Sequence, residues 1–156
     1  MKDLEGAAND HRPYPGRASG RSSAPILAVE DLSITFDGLP DGFALVDAVS
    51  FSVAPGRTLC IVGESGCGKS LISLAVMGLI ASPPGRVSGG VIRFDGRDLR
   101  TLPSRDMADL RGDRLAMIFQ EPMTSLNPAF TIGDQIAEGV MRHRGASRAE
   151  ARARAL

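Results

Sequence analysis

The sequence predicts an α/β fold, and three observations support this prediction. Short apolar runs rich in β-branched and aromatic residues alternate with segments whose apolar residues recur at helical spacing. A strand-like run, a glycine-rich loop and a helical segment follow one another directly over residues 58–80. Residues 26–36 and 44–53 are two strand-like runs separated by a segment rich in Gly, Pro and Asp, which indicates an antiparallel hairpin. We therefore expect an α/β core with an added antiparallel β subdomain.

Each element is predicted from its own pattern. Residues 26–36 and 44–53 alternate loosely between apolar and polar positions, as half-buried strands do. Residues 58–62, which include Cys60, and residues 115–119 are near-continuous apolar runs, typical of strands buried on both faces. The predicted order is strand 26–36, strand 44–53, strand 58–62, helix 71–80, strand 91–94, helix 103–110, strand 115–119, helix 131–143 and a last helix that Ser147 and Glu150 begin with a capping box.

Composition narrows the class of protein. The chain has 156 residues, and its 18 Lys and Arg residues balance its 18 Asp and Glu residues, so no overall basicity argues for a nucleic-acid partner. The two cysteines have neither zinc-like spacing nor a disulfide framework, which indicates a reducing compartment. Residues 1–24 are polar and rich in Pro, Gly and Ser; we expect a disordered leader rather than a signal peptide, followed by one domain over residues 25–156. No apolar stretch is long enough to span a membrane.

The glycine-rich loop is the most informative motif. Residues 63–70 fit the phosphate-binding pattern G-x-x-x-x-G-K-[ST] in full. Glycines let the backbone approach phosphate oxygens, successive N–H groups form an anion-binding nest, and the next helix points its positive end at the same anion. A chance match in a glycine-rich turn is the alternative, but the flanking strand and helix patterns argue against it. We expect a P-loop nucleoside triphosphate hydrolase core in which Lys69 contacts the phosphates and Ser70 ligates Mg²⁺. The full set of predicted loop residues is Gly63, Glu64, Ser65, Gly66, Cys67, Gly68, Lys69 and Ser70.

A second diagnostic stretch is Ile-Phe-Gln-Glu-Pro-Met-Thr-Ser-Leu-Asn-Pro at residues 118–128. Together with the loop, it closely resembles the ATP-binding proteins of ABC transporters, in particular those for dipeptide, oligopeptide and nickel uptake. The resemblance extends from Ile26 to about His143. It implies ATP and Mg²⁺ as cofactors, and it identifies Gln120 with the Q-loop glutamine, which ligates Mg²⁺ and helps to place the attacking water.

The resemblance also implies partners. The segment after the Q-loop glutamine, residues 121–128, is expected to contact transmembrane permease subunits, and a second ATP-binding subunit is expected to form a head-to-tail dimer. The protein would then act in the cytoplasm, on the inner face of the cell membrane. Phe36 resembles the aromatic residue that stacks on adenine, with Phe43 as its rival. Ser88-Gly89-Gly90 looks like part of the family's signature motif, but its position before Gln120 indicates a turn that leads into a strand.

Three family motifs are missing from the sequence after Gln120: the signature, a Walker B strand ending in Asp-Glu, and a switch histidine. Neither His11 nor His143 stands where a switch histidine would. The chain therefore matches the N-terminal part of such an ATPase, truncated within the helical subdomain, and we expect little or no hydrolysis by this chain alone. The alternatives are a non-catalytic fragment that binds only nucleotide or the transporter, and a small-molecule P-loop kinase, in which the Gln120 stretch has no evident use.

Overall fold

The protein is a mixed α/β structure with an antiparallel sheet, as the sequence predicts. A computed structural model describes residues 24–40, 43–121 and 126–155, so nearly all of the predicted leader lies outside the described residues. The elements in chain order are β1 Leu27–Phe36, β2 Val46–Val53, α1 Lys69–Val76, β3 Gly85–Phe94, β4 Arg97–Asp98, a 3₁₀ helix Leu99–Thr101, α2 Ser104–Leu110, α3 Ile132–Arg144 and α4 Arg148–Ala155.

The four strands form one sheet in the order β2-β1-β3-β4, and each neighbouring pair is antiparallel. The predicted hairpin is confirmed, because β1 pairs with β2. Strand β3 is longer than predicted and takes in Ser88-Gly89-Gly90, which therefore lies inside the strand rather than in a turn before it. The register of β1 and β3 shifts there, and Gly90 has φ +83. A Cβ on Gly90 would lie within 2.6 Å of the Asp31 backbone, so only glycine lets the two strands pass at this irregularity.

The core lies between one face of this sheet and the helices. Its most deeply buried side chains come from β1 and β3, and α1 adds Ile72 and Ala75. Arg93 and Glu30 pair at 2.6 Å on the exposed side of the same strands. Alternation along the strands thus separates an apolar inner face from a polar outer face. The largest fully buried side chains among the described residues are Val29, Leu32, Ile34 and Ile92.

The prediction of buried strands at residues 58–62 and 115–119 is wrong. Neither run pairs into the sheet; only Leu115 takes part in an isolated bridge, to Arg111. Val62 is 84% exposed and Ile118 93%, and Cys60, predicted to be buried, is exposed. A strand is buried on both faces only when it lies within a sheet whose two faces are covered by other elements. The strands of the described sheet pair with one another and leave these runs without neighbours.

The helices follow their local signals closely. Helix α1 begins at Lys69 and ends at Val76, short of the predicted residue 80, and Gly78 with φ +61 follows its end. Ser147 and Glu150 form the predicted capping box: the backbone N–H of Ser147 donates to the Glu150 carboxylate at 2.8 Å, and the Glu150 N–H donates to Ser147 Oγ at 3.4 Å. Helices α3 and α4 then pack against each other.

Candidate nucleotide site

The loop of residues 63–70 connects an extended segment to the first turn of α1. Gly66 and Gly68 have φ of +83 and +89, a conformation that side chains other than glycine rarely adopt. Gly68 is also the N-cap of α1, and a Cβ there would lie 2.9 Å from the side chain of Val46. Strand β2 therefore packs closely against the start of α1, and both backbone conformation and space require glycine. The loop has the glycine geometry that an anion-binding nest needs.

The ammonium group of Lys69 lies inside the loop. Its Nζ donates to the carbonyl oxygens of Gly63 at 2.7 Å and Glu64 at 2.5 Å, and it lies 3.3 Å from the sulfur of Cys67. A Cβ on Gly63 would lie only 2.7 Å from Cys67 Sγ, so the thiol also turns inward. The loop thus places one positive charge beside the backbone N–H groups at the start of α1, where an anion is favoured.

Gln120 lines the same cleft as the loop. This cleft measures about 410 Å³. Gln120 is exposed and lies 50 positions after Ser70 in the chain, yet both residues border one cavity. The two residues that the sequence analysis assigned to the metal therefore border the same cleft. The complete lining is Ser65, Gly66, Gly68, Lys69, Ser70, Leu71 and Gln120.

The chemistry of this lining fits Mg²⁺ that is bound together with a triphosphate. A serine hydroxyl and an amide carbonyl are neutral oxygen ligands, which suit a hard cation that obtains its remaining ligands from phosphates and water. No group of three or more His, Cys, Asp or Glu side chains able to hold a metal ion occurs among the described residues. Ser70 and Gln120 would hold the ion only with an anionic ligand present, because they carry no charge themselves.

The two candidate aromatic residues lie in different surroundings. Phe36 is half-buried and packs against the core, where its ring and Ile80 close over Gly85. Phe43 is 52% exposed and stands two residues before Leu45, whose carbonyl oxygen would be 3.1 Å from a Cβ on Gly68. Base stacking by Phe36 remains a prediction.

Two further residues bond to the backbone outside the cleft, and the sequence analysis did not single them out. Arg111 donates from Nε to the carbonyl of Met77 at 2.7 Å and from Nη2 to that of Gly78 at 2.8 Å. It thereby places a cation at the C-terminal end of α1, where the helix dipole favours one. Gln135, on α3, holds the turn before that helix through its side-chain amide. Neither residue belongs to a motif with a known mechanism, so single-sequence patterns gave no signal for them.

Comparison with known proteins identifies the family. The sequence profile of the ABC transporter family matches residues 46–156, which include the loop, the cleft and helices α1 to α4. The chain belongs to the ABC transporter family. Its resemblance to that family and its fold class are thus confirmed.

Relatives within the family carry names from peptide transport. The chain is 43% identical over 131 residues to the oligopeptide transport ATP-binding protein AppD of Bacillus subtilis, covering 84% of this chain and 40% of AppD. It is 49% identical over 131 residues to the dipeptide transport ATP-binding protein DppD of Haemophilus influenzae, covering 84% and 39%. The chain therefore spans about two fifths of the length of these curated relatives.

Among solved structures, a bacterial Atm1-family ABC exporter with ATP bound matches 81% of this chain and 19% of its own chain, at 27% identity and a TM-score of 0.49. Within the described residues, no helix has the length and apolar character that crossing a bilayer requires.

Proposed function

We propose that this chain is the nucleotide-binding, N-terminal part of the ATP-binding subunit of a peptide-uptake ABC transporter. The observation that carries the proposal is the shared cleft, in which Lys69, Ser70 and Gln120 converge. Two motifs far apart in the sequence border the same cleft, which supports the proposal that a magnesium-bound triphosphate binds there. The names of the relatives, which are transport ATP-binding proteins for dipeptides and oligopeptides, support the choice of solute class.

Each residue of the cleft has a distinct role in this proposal. Lys69 would neutralise charge on the β- and γ-phosphates, while the N–H groups of residues 63–70 bind the remaining phosphate oxygens. Ser70 and Gln120 would hold Mg²⁺. In the complete protein, transfer of the γ-phosphoryl group of ATP would release the free energy that drives transport. Lys69 would stabilise the negative charge that develops in this transfer.

The proposal extends to partners and location. We propose that residues 121–128 contact a transmembrane permease subunit, that a second ATP-binding subunit completes the dimer, and that the assembly works on the inner face of the cell membrane. Residues 122–125 lie outside the described residues. Next to them, Leu126 and Phe130 are 38% and 61% exposed, so two apolar side chains lie beside the proposed contact segment.

For this chain alone we propose binding without hydrolysis. The described residues that line the cleft include no carboxylate that could act as a general base. We also propose that further polypeptide of the longer protein supplies strands beside residues 58–62 and 115–119. An apolar cleft of about 490 Å³, to which Leu59, Ile61 and Met117 contribute, lies along both runs and would receive them.

Isothermal titration calorimetry, in which the purified chain is titrated with ATP in the presence of Mg²⁺, tests the proposal. Lys69→Ala should weaken ATP binding at least tenfold, about 1.4 kcal/mol, because the only cation among the described residues lining the cleft is removed. Arg57→Ala is the matched control, since it removes an exposed cation just before the loop and should leave the affinity unchanged.

Phosphate release is measured on the same samples. We expect the unsubstituted chain to release phosphate no faster than the Lys69→Ala variant. Robust turnover that this substitution abolishes would show that the chain hydrolyses ATP without further segments. Equal ATP affinity in the Lys69→Ala and unsubstituted chains would refute the assignment of the cleft.

A further inference from the structure

Strand β3 has one long edge that no neighbouring strand covers. Strand β1 lies along one side of β3, whereas β4 pairs with the other side only at Arg93 and Phe94. In the described part of the chain, that other side of residues 85–92 has no strand partner. Backbone N–H and C=O groups at such an edge can pair with a strand of another chain. What covers this edge therefore decides whether copies of the chain can pair there.

The side chains of β3 itself give this edge little protection. Residues 87–92, Val-Ser-Gly-Gly-Val-Ile, carry no charge. The two arginines that flank them are engaged elsewhere: Arg86 pairs with Asp37 at 3.1 Å, and Arg93 pairs with Glu30 of β1 at 2.6 Å. Charged side chains along an edge are a common protection against strand pairing. On β3 such a charge has to come from outside the strand.

The guanidinium group of Arg100 lies on this edge. Its Nη1 donates to the carbonyl oxygen of Gly90, and its Nη2 donates to that of Val87 at 3.4 Å. The donors of a guanidinium form a planar fork, which lets one side chain reach two carbonyls three residues apart. Hydrogen bonds from a charged donor are stronger than those from a neutral one, so an incoming backbone N–H competes poorly for the same oxygens.

The 3₁₀ helix that contains Arg100 holds its backbone in place. Leu99 is 6% exposed and anchors this helix in the core. The Asp98 carboxylate accepts the backbone N–H of Arg100 at 3.0 Å, and Thr101 Oγ1 donates to the Asp98 carbonyl at 2.9 Å. Because the backbone is already fixed, only side-chain rotamers remain to be ordered, and holding the guanidinium on the edge costs less conformational entropy.

The opposite edge of the sheet, on β2, is protected in a different way. The register of β1 and β2 is irregular, and Ala48 has φ +48. The N–H of Ala48 donates to Ser33 Oγ of β1 at 3.0 Å, so it is not free for another strand. Bulges of this kind interrupt an edge. On β2 the backbone itself provides protection, whereas on β3 a side chain provides it and can be removed by substitution.

We propose that Arg100 closes the outer edge of β3 to a second copy of this chain. Its guanidinium occupies the carbonyls that an added strand would use, and without it the β3 strands of two copies pair antiparallel, edge to edge. A twofold pairing centred on Gly89 would set Val87 opposite Val91, a favourable β-branched pair, and would place no two charged side chains opposite each other. A second copy therefore fits this edge.

Size-exclusion chromatography with light scattering measures self-association of the full chain over a range of concentrations. Arg100→Ala should associate on the order of tenfold more tightly than the unsubstituted chain, because no charged donors have to be displaced before the strands pair. Arg97→Ala is the matched control, since it removes an exposed arginine from the adjacent β4 and should leave association unchanged. Arg100→Lys keeps a charged donor without the planar fork, so its association should lie between the two.

Amide hydrogen exchange identifies the surface through which the copies associate. In the associated Arg100→Ala chain, the N–H groups of residues 86–91 should exchange more slowly than in the dilute chain, because a new strand bonds to this edge. Urea unfolding at low concentration, followed by circular dichroism, checks that the variant is folded. If Arg100→Ala does not fold, Arg100→Lys takes its place and should still associate more tightly than the unsubstituted chain.

Three results would overturn the proposal. The first is a folded variant at position 100 that associates no more tightly than the unsubstituted chain, and the second is equally tight association of Arg97→Ala. The third is slowed exchange at residues 58–62 or 115–119 instead of β3, which would mean that copies associate through the two unpaired apolar runs. These experiments contain neither ATP nor Mg²⁺, so their failure leaves the proposed function unaffected.

Discussion

The strands of the antiparallel sheet and the two unpaired apolar runs have similar composition but differ in how deeply their side chains are buried. In the sheet, Leu32 and Ile92 are 0% exposed, whereas Val62 and Ile118, equally apolar, are 84% and 93% exposed. The sheet strands find partners within residues 27–98, close in the sequence. The runs at residues 58–62 and 115–119 have no flanking strands in the described part of the chain. Hydrophobicity alone therefore does not bury a segment; its backbone also needs hydrogen-bonding neighbours.

The most direct test of this comparison is to replace one leucine or isoleucine in each region by alanine. Leu32→Ala should lower the free energy of unfolding by about 2–5 kcal/mol, because it leaves a cavity in the core. Ile118→Ala should change it by no more than about 0.5 kcal/mol, since that side chain is already in water. Urea unfolding followed by circular dichroism measures both. A loss of several kcal/mol for Ile118→Ala would mean that the run is packed.

A second pair of substitutions tests how closely the sheet strands approach each other. Gly90→Ala should destabilise the protein by about 3 kcal/mol, since it combines left-handed strain with a collision against the backbone of Asp31. Gly96→Ala is the control: its φ is +78, but a Cβ there would have no atom within 4 Å. It should cost about 1 kcal/mol, from strain alone. Thermal unfolding distinguishes them, and equal shifts in Tm would contradict the close approach of β1 and β3.

The smallest predicted effect concerns α3 and α4, which are also joined by ion pairs at the surface. Hydrogen bonds from Arg152, then from Thr131, lower the pKa of Asp134 below its ordinary value of 3.8. Because the folded-state pKa is the lower one, this carboxylate stabilises the helix pair above about pH 4, and the contribution is lost as the pH falls through the folded-state pKa. Hydrogen bonds from Ser147 lower the pKa of Glu150 in the same direction.

Amide NMR shifts of α3 and α4 between pH 6 and 2 measure this loss. Asp134→Asn should remove the part of the pH response that Asp134 causes, while Glu138→Gln should keep it. An unchanged response in Asp134→Asn would assign the transition to Glu150 or to other carboxylates.

The sequence predicted those features that depend on neighbours along the chain. The hairpin of β1 and β2 and the capping box at Ser147 are each encoded within a few residues, and the structure confirms both. Gly66 and Gly68 have the positive φ that a phosphate loop requires, while phosphate binding itself stays a prediction. The family resemblance alone predicted that Ser70 and Gln120 would border one cleft, because no local pattern links positions so far apart. Burial of residues 58–62 and 115–119 failed as a prediction because it depends on strands that the described residues do not provide. The roles of Arg111 and Gln135 depend on tertiary contacts that no spacing in the sequence reveals.

Under the proposed function, the position of Lys69 bears on how selectively a nucleotide binds. A lysine side chain free in solvent carries about 2 kcal/mol of rotamer entropy, and an incoming phosphate would have to order it. Here the carbonyls of Gly63 and Glu64 already hold Nζ, so that ordering takes place when the loop folds. An arriving triphosphate then exchanges hydrogen bonds rather than capturing a mobile charge. The loop should accordingly distinguish ligands by how well their oxygens replace two carbonyls, which favours a polyphosphate chain over a single small anion.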